Sequence, residues 1–232
     1  MILTLDPVYW MFIIPCMIFA GIATAKTKGT FNKYAKVASS SRMTGAQAAR
    51  QMLDRSGLQD VAINRTRGFL SDHYNPANRT LNLSPDVYDA QSLSAIGVAC
   101  HEAGHALQHA HGYVPLQIRS AMVPVTQFSS WGAYVFIFLG MFIQSMGMIK
   151  LGVILFGIGF FFSVVTLPVE WDASARAKRQ MVSDGIVQPS EAADAGKVLD
   201  AAFLTYVASA VTALMTLLYY LMRSGLLGGR DD

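Results

Sequence analysis

The stretch His101-Glu102-Ala103-Gly104-His105 lies near the middle of the chain and decides how the rest of it is interpreted. On an α-helix, positions i and i+4 share one face, so His101 and His105 can present two imidazole rings to one metal ion. Glu102, beside the first histidine, can then accept a proton from a water molecule on that metal. Because a pattern with three fixed positions also arises by chance, the surrounding chain must decide whether this helix carries a zinc site.

The composition indicates a membrane protein. Of the 232 residues, 53% are hydrophobic and only 14% are charged, whereas a soluble domain usually carries about 25% charged residues. Charged side chains are missing altogether from three stretches, 120–149, 151–169 and 201–222. Apolar segments of about 20 residues are long enough to cross a bilayer. We therefore predict a mostly α, polytopic protein with about four transmembrane helices, near residues 7–25, 129–149, 151–168 and 201–222.

The second and third spans are separated only by Lys150. One uninterrupted helix through both would be far longer than the ~30 Å hydrocarbon core, so the two spans must form a hairpin. We expect its turn between Gly147 and Gly152. We also expect the glycines of these two spans to allow close helix packing, namely Gly140, Gly147, Gly152, Gly157 and Gly159.

Basic residues set the predicted orientation. Lys26, Lys28, Lys33 and Lys36 follow the first span, and only Asp6 precedes it. The positive-inside rule then places the N-terminus outside and residues 26–128 in the cytoplasm. The net charge of +3 mostly reflects these lysines, and it does not indicate nucleic-acid binding. The single Arg223 after the last span weakly opposes the outward assignment of the C-terminus.

The polar segment 26–128 is long enough for one small α+β domain. Thr44 is a plausible N-cap of a first helix that stops at Gly57, and residues 92–111 form the helix of the histidine motif. Between them we expect a short strand at 61–63 and a β-hairpin around the turn 75–78. The predicted organisation is transmembrane helix 1 in 1–25, the cytoplasmic domain in 26–128, the transmembrane hairpin in 129–168, a cytoplasmic segment in 169–200, transmembrane helix 4 in 201–222 and a tail in 223–232.

A catalytic zinc site needs a third protein ligand. His111 would complete one known pattern, but Gln108 stands where that pattern has the glycine that lets the chain turn back. The outstanding candidate is Glu170, just after the third span. Asp172 is the next choice, although its position two residues on suits it better to pair with Arg176 or to support a histidine N–H.

Three motifs together resemble a known family. The motif 101–106, the earlier Ser71-Asp72-His73-Tyr74-Asn75-Pro76 and the later segment 168–174 are similar to those of the YugP-like neutral zinc metallopeptidases, which are bacterial membrane proteins. The resemblance implies a membrane-embedded zinc peptidase of the gluzincin type in the bacterial plasma membrane. Together with the positive-inside assignment above, it predicts a zincin-like cytoplasmic domain and an active site on the cytoplasmic side. It also implies one Zn²⁺ per chain, held by His101, His105 and Glu170, with Glu102 as the catalytic base.

The hairpin before the motif helix suggests how a peptide substrate is held. An exposed edge strand can bind an extended chain by β-augmentation. His73 or Tyr74 can stabilise the oxyanion from this hairpin, and because strand residues alternate between faces only one of them can point to the metal. We favour His73. His109 is a further candidate ligand on the stripe of His105, and we expect it to be only a solvated residue.

The predicted function is a membrane-embedded zinc metalloendopeptidase that cleaves membrane or membrane-adjacent polypeptides. Two alternatives remain open. One is a di-metal carboxylate enzyme, because Glu102 and His105 also form an ExxH pair, although the sequence holds no second ExxH. The other is a non-catalytic membrane scaffold with a structural metal. The sequence leaves the oligomeric state open.

Overall fold

The computed structural model describes residues 6–68 and 70–226. Within them the protein is mostly helical with one small sheet, as predicted, and most of the predicted tail lies outside the described residues. The elements in chain order are α1 (Pro7–Tyr34), α2 (Gly45–Arg55), β1 (Ala62–Arg65), β2 (His73–Asn75), β3 (Thr80–Leu83), α3 (Pro85–Tyr88), α4 (Leu93–Ala110), α5 (Val114–Phe142), α6 (Met146–Ser183) and α7 (Pro189–Arg223).

The chain divides into two compact units. The first contains the described residues up to Ile22, the segment Ile118–Leu167, and the chain from Tyr206 onward. The second contains Ala23–Gln117 and Pro168–Thr205. The motif helix and Glu170 both belong to the second unit.

Four helices, α1, α5, α6 and α7, are long and apolar enough to cross a bilayer. Within the part of the chain that the structure describes, this confirms the predicted number of spans. Each helix is longer than the apolar segment inside it: α6 has 38 residues, which corresponds to about 57 Å of helix. The predicted spans are therefore the apolar portions of longer helices.

The turn between α5 and α6 differs from the prediction. It occupies residues 143–145, and α6 already begins at Met146, so the predicted turn region 147–152 is helical. Gln144 adopts a left-handed conformation with φ 56°, and the Ser145 N–H donates to the carbonyl of Gly140 (2.7 Å). The glycines at 147 and 152 were wrongly interpreted as turn residues.

Two glycines of this hairpin, Gly140 and Gly152, instead allow α5 and α6 to pack closely. A Cβ atom on Gly152 would lie 2.8 Å from the carbonyl oxygen of Ala133, and one on Gly140 would lie 2.8 Å from the backbone nitrogen of Ile149. Both distances are shorter than a Cβ contact allows, so the packing role predicted for glycines in these spans is confirmed at these positions.

An ion pair joins the two ends of the first unit. The carboxylate of Asp6, just before α1, accepts a hydrogen bond from the hydroxyl of Tyr219 (2.9 Å) and pairs with Arg223 at the end of α7. Asp6 is only 5% exposed, and these two partners compensate its buried charge. Arg223 therefore has a partner at the N-terminal end of the chain, which explains why a lone basic residue stands there.

The second unit is built as the sequence predicts. Thr44 caps α2 with a capping box to Gln47, and Gly57 follows the helix with φ 76°. The three strands have the order β1-β3-β2, with β1 parallel and β2 antiparallel to β3. The β-hairpin is confirmed, and β2 is an edge strand.

Helix α4 passes through the core of the second unit. Ser92 is its N-cap, accepting a hydrogen bond from the Ala95 N–H (3.2 Å), and nearly all of its residues are buried. Gly104 lies very close to α6, because a Cβ atom there would lie 2.6 Å from the carbonyl oxygen of Ala173. The absence of a side chain at Gly104 brings α6, which carries Glu170, against the histidine motif.

Candidate metal centre

Three side chains from α4 and α6 converge inside the second unit. The Nε2 atoms of His101 and His105 lie 3.1 Å and 3.5 Å from the same oxygen, Oε2 of Glu170. Glu170 is 1% exposed and His105 is 7% exposed, whereas His101 is the more accessible of the three. Among residues 6–68 and 70–226, this is the one group of at least three His, Cys, Asp or Glu side chains with suitable spacing for a metal ion.

The spacing of the donor atoms fits a tetrahedral zinc ion. Zinc binds imidazole nitrogen and carboxylate oxygen at about 2.0–2.2 Å, and in a tetrahedron such ligand atoms lie about 3.3 Å from one another. The two nitrogen–oxygen distances of 3.1 Å and 3.5 Å bracket that value. Two imidazoles and one carboxylate are also the ligand set of a known class of catalytic zinc sites, in which the fourth position holds water.

The second ring nitrogen of each histidine also has a partner. The hydroxyl of Ser174, one helical turn after Glu170, lies 3.1 Å from Nδ1 of His101. The side-chain oxygen of Gln108 lies 2.9 Å from Nδ1 of His105. Both rings are therefore held from behind, with Nε2 directed to Glu170.

Glu102 is held by the edge strand of the sheet. It is 9% exposed, and its Oε2 accepts a hydrogen bond from the backbone N–H of Tyr74 in β2 (3.0 Å). The Tyr74 hydroxyl in turn lies 2.9 Å from Nδ1 of His109 on α4. Strand β2 is thus fixed to the motif helix through both the backbone and the side chain of one residue.

Electrostatics at the site favour positive charge on His105. Burial by itself lowers the pKa of His105, but the hydrogen bond and charge of Glu170, together with the charge of Glu102, outweigh it and raise the pKa above its usual value. The pKa of Asp72, just before β2, is raised because the carboxyl group is largely buried. Hydrogen bonds from Ser84 oppose that increase, and the charge of Glu102 adds to it. The negative charges of Glu170, Glu102 and Asp72 would therefore favour a cation bound near them.

The other predicted site residues lie around this centre. Asp172 pairs with Arg176 at i+4 (2.6 Å), as expected. Asp172 reaches Gln108 (2.9 Å) and not a histidine. His111 is the C-cap of α4, with its Nδ1 2.7 Å from the Leu107 carbonyl oxygen.

The two remaining histidine candidates differ in their surroundings. His109 is half-buried against Tyr74, whereas we expected a solvated side chain. His73 is exposed, and its ring nitrogens contact the Ser71 carbonyl oxygen (2.8 Å) and the side-chain amide of Asn82 (3.3 Å). Its neighbour Tyr74 is the residue of β2 that contacts α4, so the alternation between strand faces is observed.

Comparison with known proteins identifies the chain. A family model described as "Putative neutral zinc metallopeptidase" matches residues 9–225. The chain belongs to this family. The "Putative membrane protease YugP" of Bacillus subtilis (strain 168) is 47% identical over 210 residues, which are 90% of this chain and 92% of that protein. No solved structure matches the chain. The protein is therefore a membrane protein of a zinc peptidase family.

Three residues of the centre escaped the sequence analysis. Gln108 was noted only as a missing glycine, although it stands three residues after His105 on the same helix. Ser174 stands at i+4 from Glu170, the spacing that places both on one face of α6. Gly104 was treated as a variable position of the motif. The i+3 and i+4 spacings were visible signals for the first two residues, whereas the role of Gly104 depends on the neighbouring helix.

Proposed function

We propose that the protein is a membrane-embedded zinc metalloendopeptidase with one Zn²⁺ per chain, held by His101, His105 and Glu170. The observation that carries the proposal is the convergence of their three donor atoms within 4.8 Å of one another, with both histidine nitrogens 3.1–3.5 Å from the Glu170 oxygen and the motif glutamate beside the first histidine. The family membership supports the same metal and the same class of reaction.

The side chains divide the chemistry between them. Zinc, when bound, activates a water molecule and polarises the carbonyl group of the substrate. Glu102 accepts the proton of that water and later returns it to the leaving amine. The Tyr74 N–H bond to Oε2 limits the rotation of Glu102, which leaves its other oxygen free to take the proton. Of the two candidate oxyanion donors, we propose Tyr74 instead of the favoured His73, because Tyr74 is the residue of β2 that contacts α4 and only one of two neighbouring strand residues can point to the metal.

The substrate is an extended polypeptide that pairs with β2. Strand β3 occupies one side of β2, and the Tyr74 N–H points to the other side, towards Glu102. The N–H and carbonyl of a strand residue point to the same side, so the Tyr74 carbonyl also faces away from β3. A substrate chain bound along that side of β2 would lie beside the general base. We propose membrane or membrane-adjacent proteins as substrates.

We place the active site on the cytoplasmic side of the bacterial plasma membrane. The support is the charge pattern of the sequence: four lysines between positions 26 and 36 directly follow the first apolar segment, as the positive-inside rule requires of a cytoplasmic flank. Four spans then return the C-terminus to the side of the N-terminus.

The three glutamates of the chain provide a complete set of test variants. We expect detergent-purified Glu102→Gln to keep its zinc and to lose peptide hydrolysis by about 10²-fold or more, because the amide cannot accept the proton. Glu170→Gln should lose zinc as well as activity. Glu191→Gln is the matched control. Glu191, in the first turn of α7, accepts hydrogen bonds from the backbone N–H and the hydroxyl of Ser40, so both zinc and activity should remain.

The same measurements distinguish the alternatives. Full turnover in Glu102→Gln would exclude the proposed mechanism. A bound-metal analysis that finds two iron ions per chain would favour the di-metal enzyme. Zinc in the wild type without hydrolysis of any unfolded or membrane-protein substrate would favour the scaffold.

A further inference from the structure

Gln108 is a fully buried polar side chain that faces the metal centre from behind. Its Oε1 lies 2.9 Å from Nδ1 of His105. Its Nε2 lies 2.8 Å from the carbonyl oxygen of Val169 and 2.9 Å from Oδ2 of Asp172. All three partners belong to the motif helix or to the segment of α6 that carries Glu170, so the amide bridges the two parts of the centre.

The surroundings fix the direction of this amide. A backbone carbonyl and a carboxylate can only accept hydrogen bonds, so the NH₂ group of Gln108 must face Val169 and Asp172. Arg176, whose Nε lies 2.6 Å from Oδ2 of Asp172, donates to the same carboxylate. The amide oxygen is then left for His105, and because it can only accept, Nδ1 of His105 must carry the hydrogen.

We propose that Gln108 is a positioning residue that sets the tautomer of His105. With the hydrogen on Nδ1, the lone pair of a neutral ring is on Nε2, the atom that faces Glu170 at 3.5 Å. Asp172 acts through Gln108 by fixing the amide, and not on the histidine directly. The inference rests on the proposed metal site and adds the residue that prepares one ligand before metal arrives.

The contacts of His101, the other histidine, do not fix its tautomer in the same way. Nδ1 of His101 faces the hydroxyl of Ser174 at 3.1 Å, and a hydroxyl can either donate or accept. Ser174 therefore allows both tautomers of His101, whereas Gln108 allows only one for His105. This difference is why we assign the tautomer-setting role to Gln108 alone.

Zinc affinity of the detergent-purified protein tests the role without any measurement of turnover. Gln108→Met keeps the length of the side chain but removes the acceptor and the donor. We expect its zinc affinity to fall about 10- to 100-fold, the usual effect of losing such a supporting contact. Gln51→Met is the matched control, because Gln51 donates an equivalent bond to the Asp184 carbonyl (2.7 Å) in the same unit. It should bind zinc like the wild type, and equal affinities in all three proteins would overturn the proposal.

The tautomer itself can be observed in the wild type, so the test does not depend on a variant that folds. We would record ring-nitrogen spectra of histidine-labelled protein, metal-free at alkaline pH and again with zinc. The expected signal for His105 is a protonated Nδ1 in both states. A protonated Nε2 in the metal-free protein would refute the role of Gln108 even if the peptidase assignment were correct. The reverse case, the expected tautomer without peptide hydrolysis, would refute the proposed function alone.

Discussion

The contact between Gly104 and α6 makes a prediction that can be worked out from the structure. In Gly104→Ala the new Cβ would lie 2.6 Å from the Ala173 carbonyl oxygen, whereas ordinary contact begins at 3.4 Å. The two helices must therefore separate by about 0.8 Å at this level, because a backbone carbonyl cannot rotate away in a helix. Glu170 lies less than one turn from Ala173, so it moves with the helix.

Such a displacement is large for a metal site. Ligand distances in zinc sites vary by about 0.2 Å, so a carboxylate displaced several times further cannot complete the tetrahedron without strain. Overpacking of this kind costs about 1–3 kcal/mol. Because the metal-free protein can relax by separating the helices and the zinc-bound protein cannot, most of this cost should appear in zinc binding. We expect affinity to fall about five- to 100-fold.

The assay is competition between the stripped protein in detergent and a chromophoric zinc chelator, combined with thermal unfolding. Gly97→Ala is the matched control on the same helix, where a Cβ would lie 3.2 Å from the Ala195 carbonyl oxygen and needs only a few tenths of an ångström. Both variants gain about 1 kcal/mol of helix propensity, so neither should unfold much earlier. If Gly104→Ala bound zinc as tightly as the wild type, the reasoning would be refuted. Helix α6 would then have accommodated the new Cβ atom without displacing Glu170.

Three further outcomes are expected. Chelation of zinc should lower the melting temperature of the wild type but not of Glu170→Ala, because a ligand present at 100 times its Kd stabilises a fold by about 2.7 kcal/mol; equal shifts would contradict the three-residue site. Gly152→Ala should lower the melting temperature through a contact of 2.8 Å with a backbone carbonyl, whereas Gly157→Ala, which meets nothing within 4 Å, should not. Reporter fusions should place both termini on the same side of the membrane, because Asp6 pairs with Arg223; opposite sides would rule out that pair.

The proximity of His101 and His105 could be predicted because helical geometry converts sequence spacing into spatial proximity. Positions 101 and 105 share a face on any helix, and α4 is helical through both. Glu170 required more than spacing, since it comes from a distant segment. Its position just after the third span made it the leading candidate, and the resemblance to a family motif strengthened that prediction. The structure brings its Oε2 to both histidines.

Other features could not be predicted because they depend on which surfaces meet. The turn between α5 and α6 was misplaced because glycine is typical both of turns and of close helix contacts, and only the packing of Gly140 and Gly152 against the opposite helix separates the two. The bond from the Tyr74 N–H to Glu102 is a backbone contact, so no side-chain pattern encodes it. The buried position of Gln108 likewise depends on where Asp172 lies.

The order of the ligands along the chain has a consequence for biosynthesis. Glu170 is made 65 residues after His105, and the intervening chain contains α5 and the apolar part of α6. A nascent chain still attached to the ribosome at that stage has two histidines and no third ligand. The centre can form only after both helices of the hairpin have been synthesised, so the proposed hydrolase would stay inactive during its own translation and membrane integration.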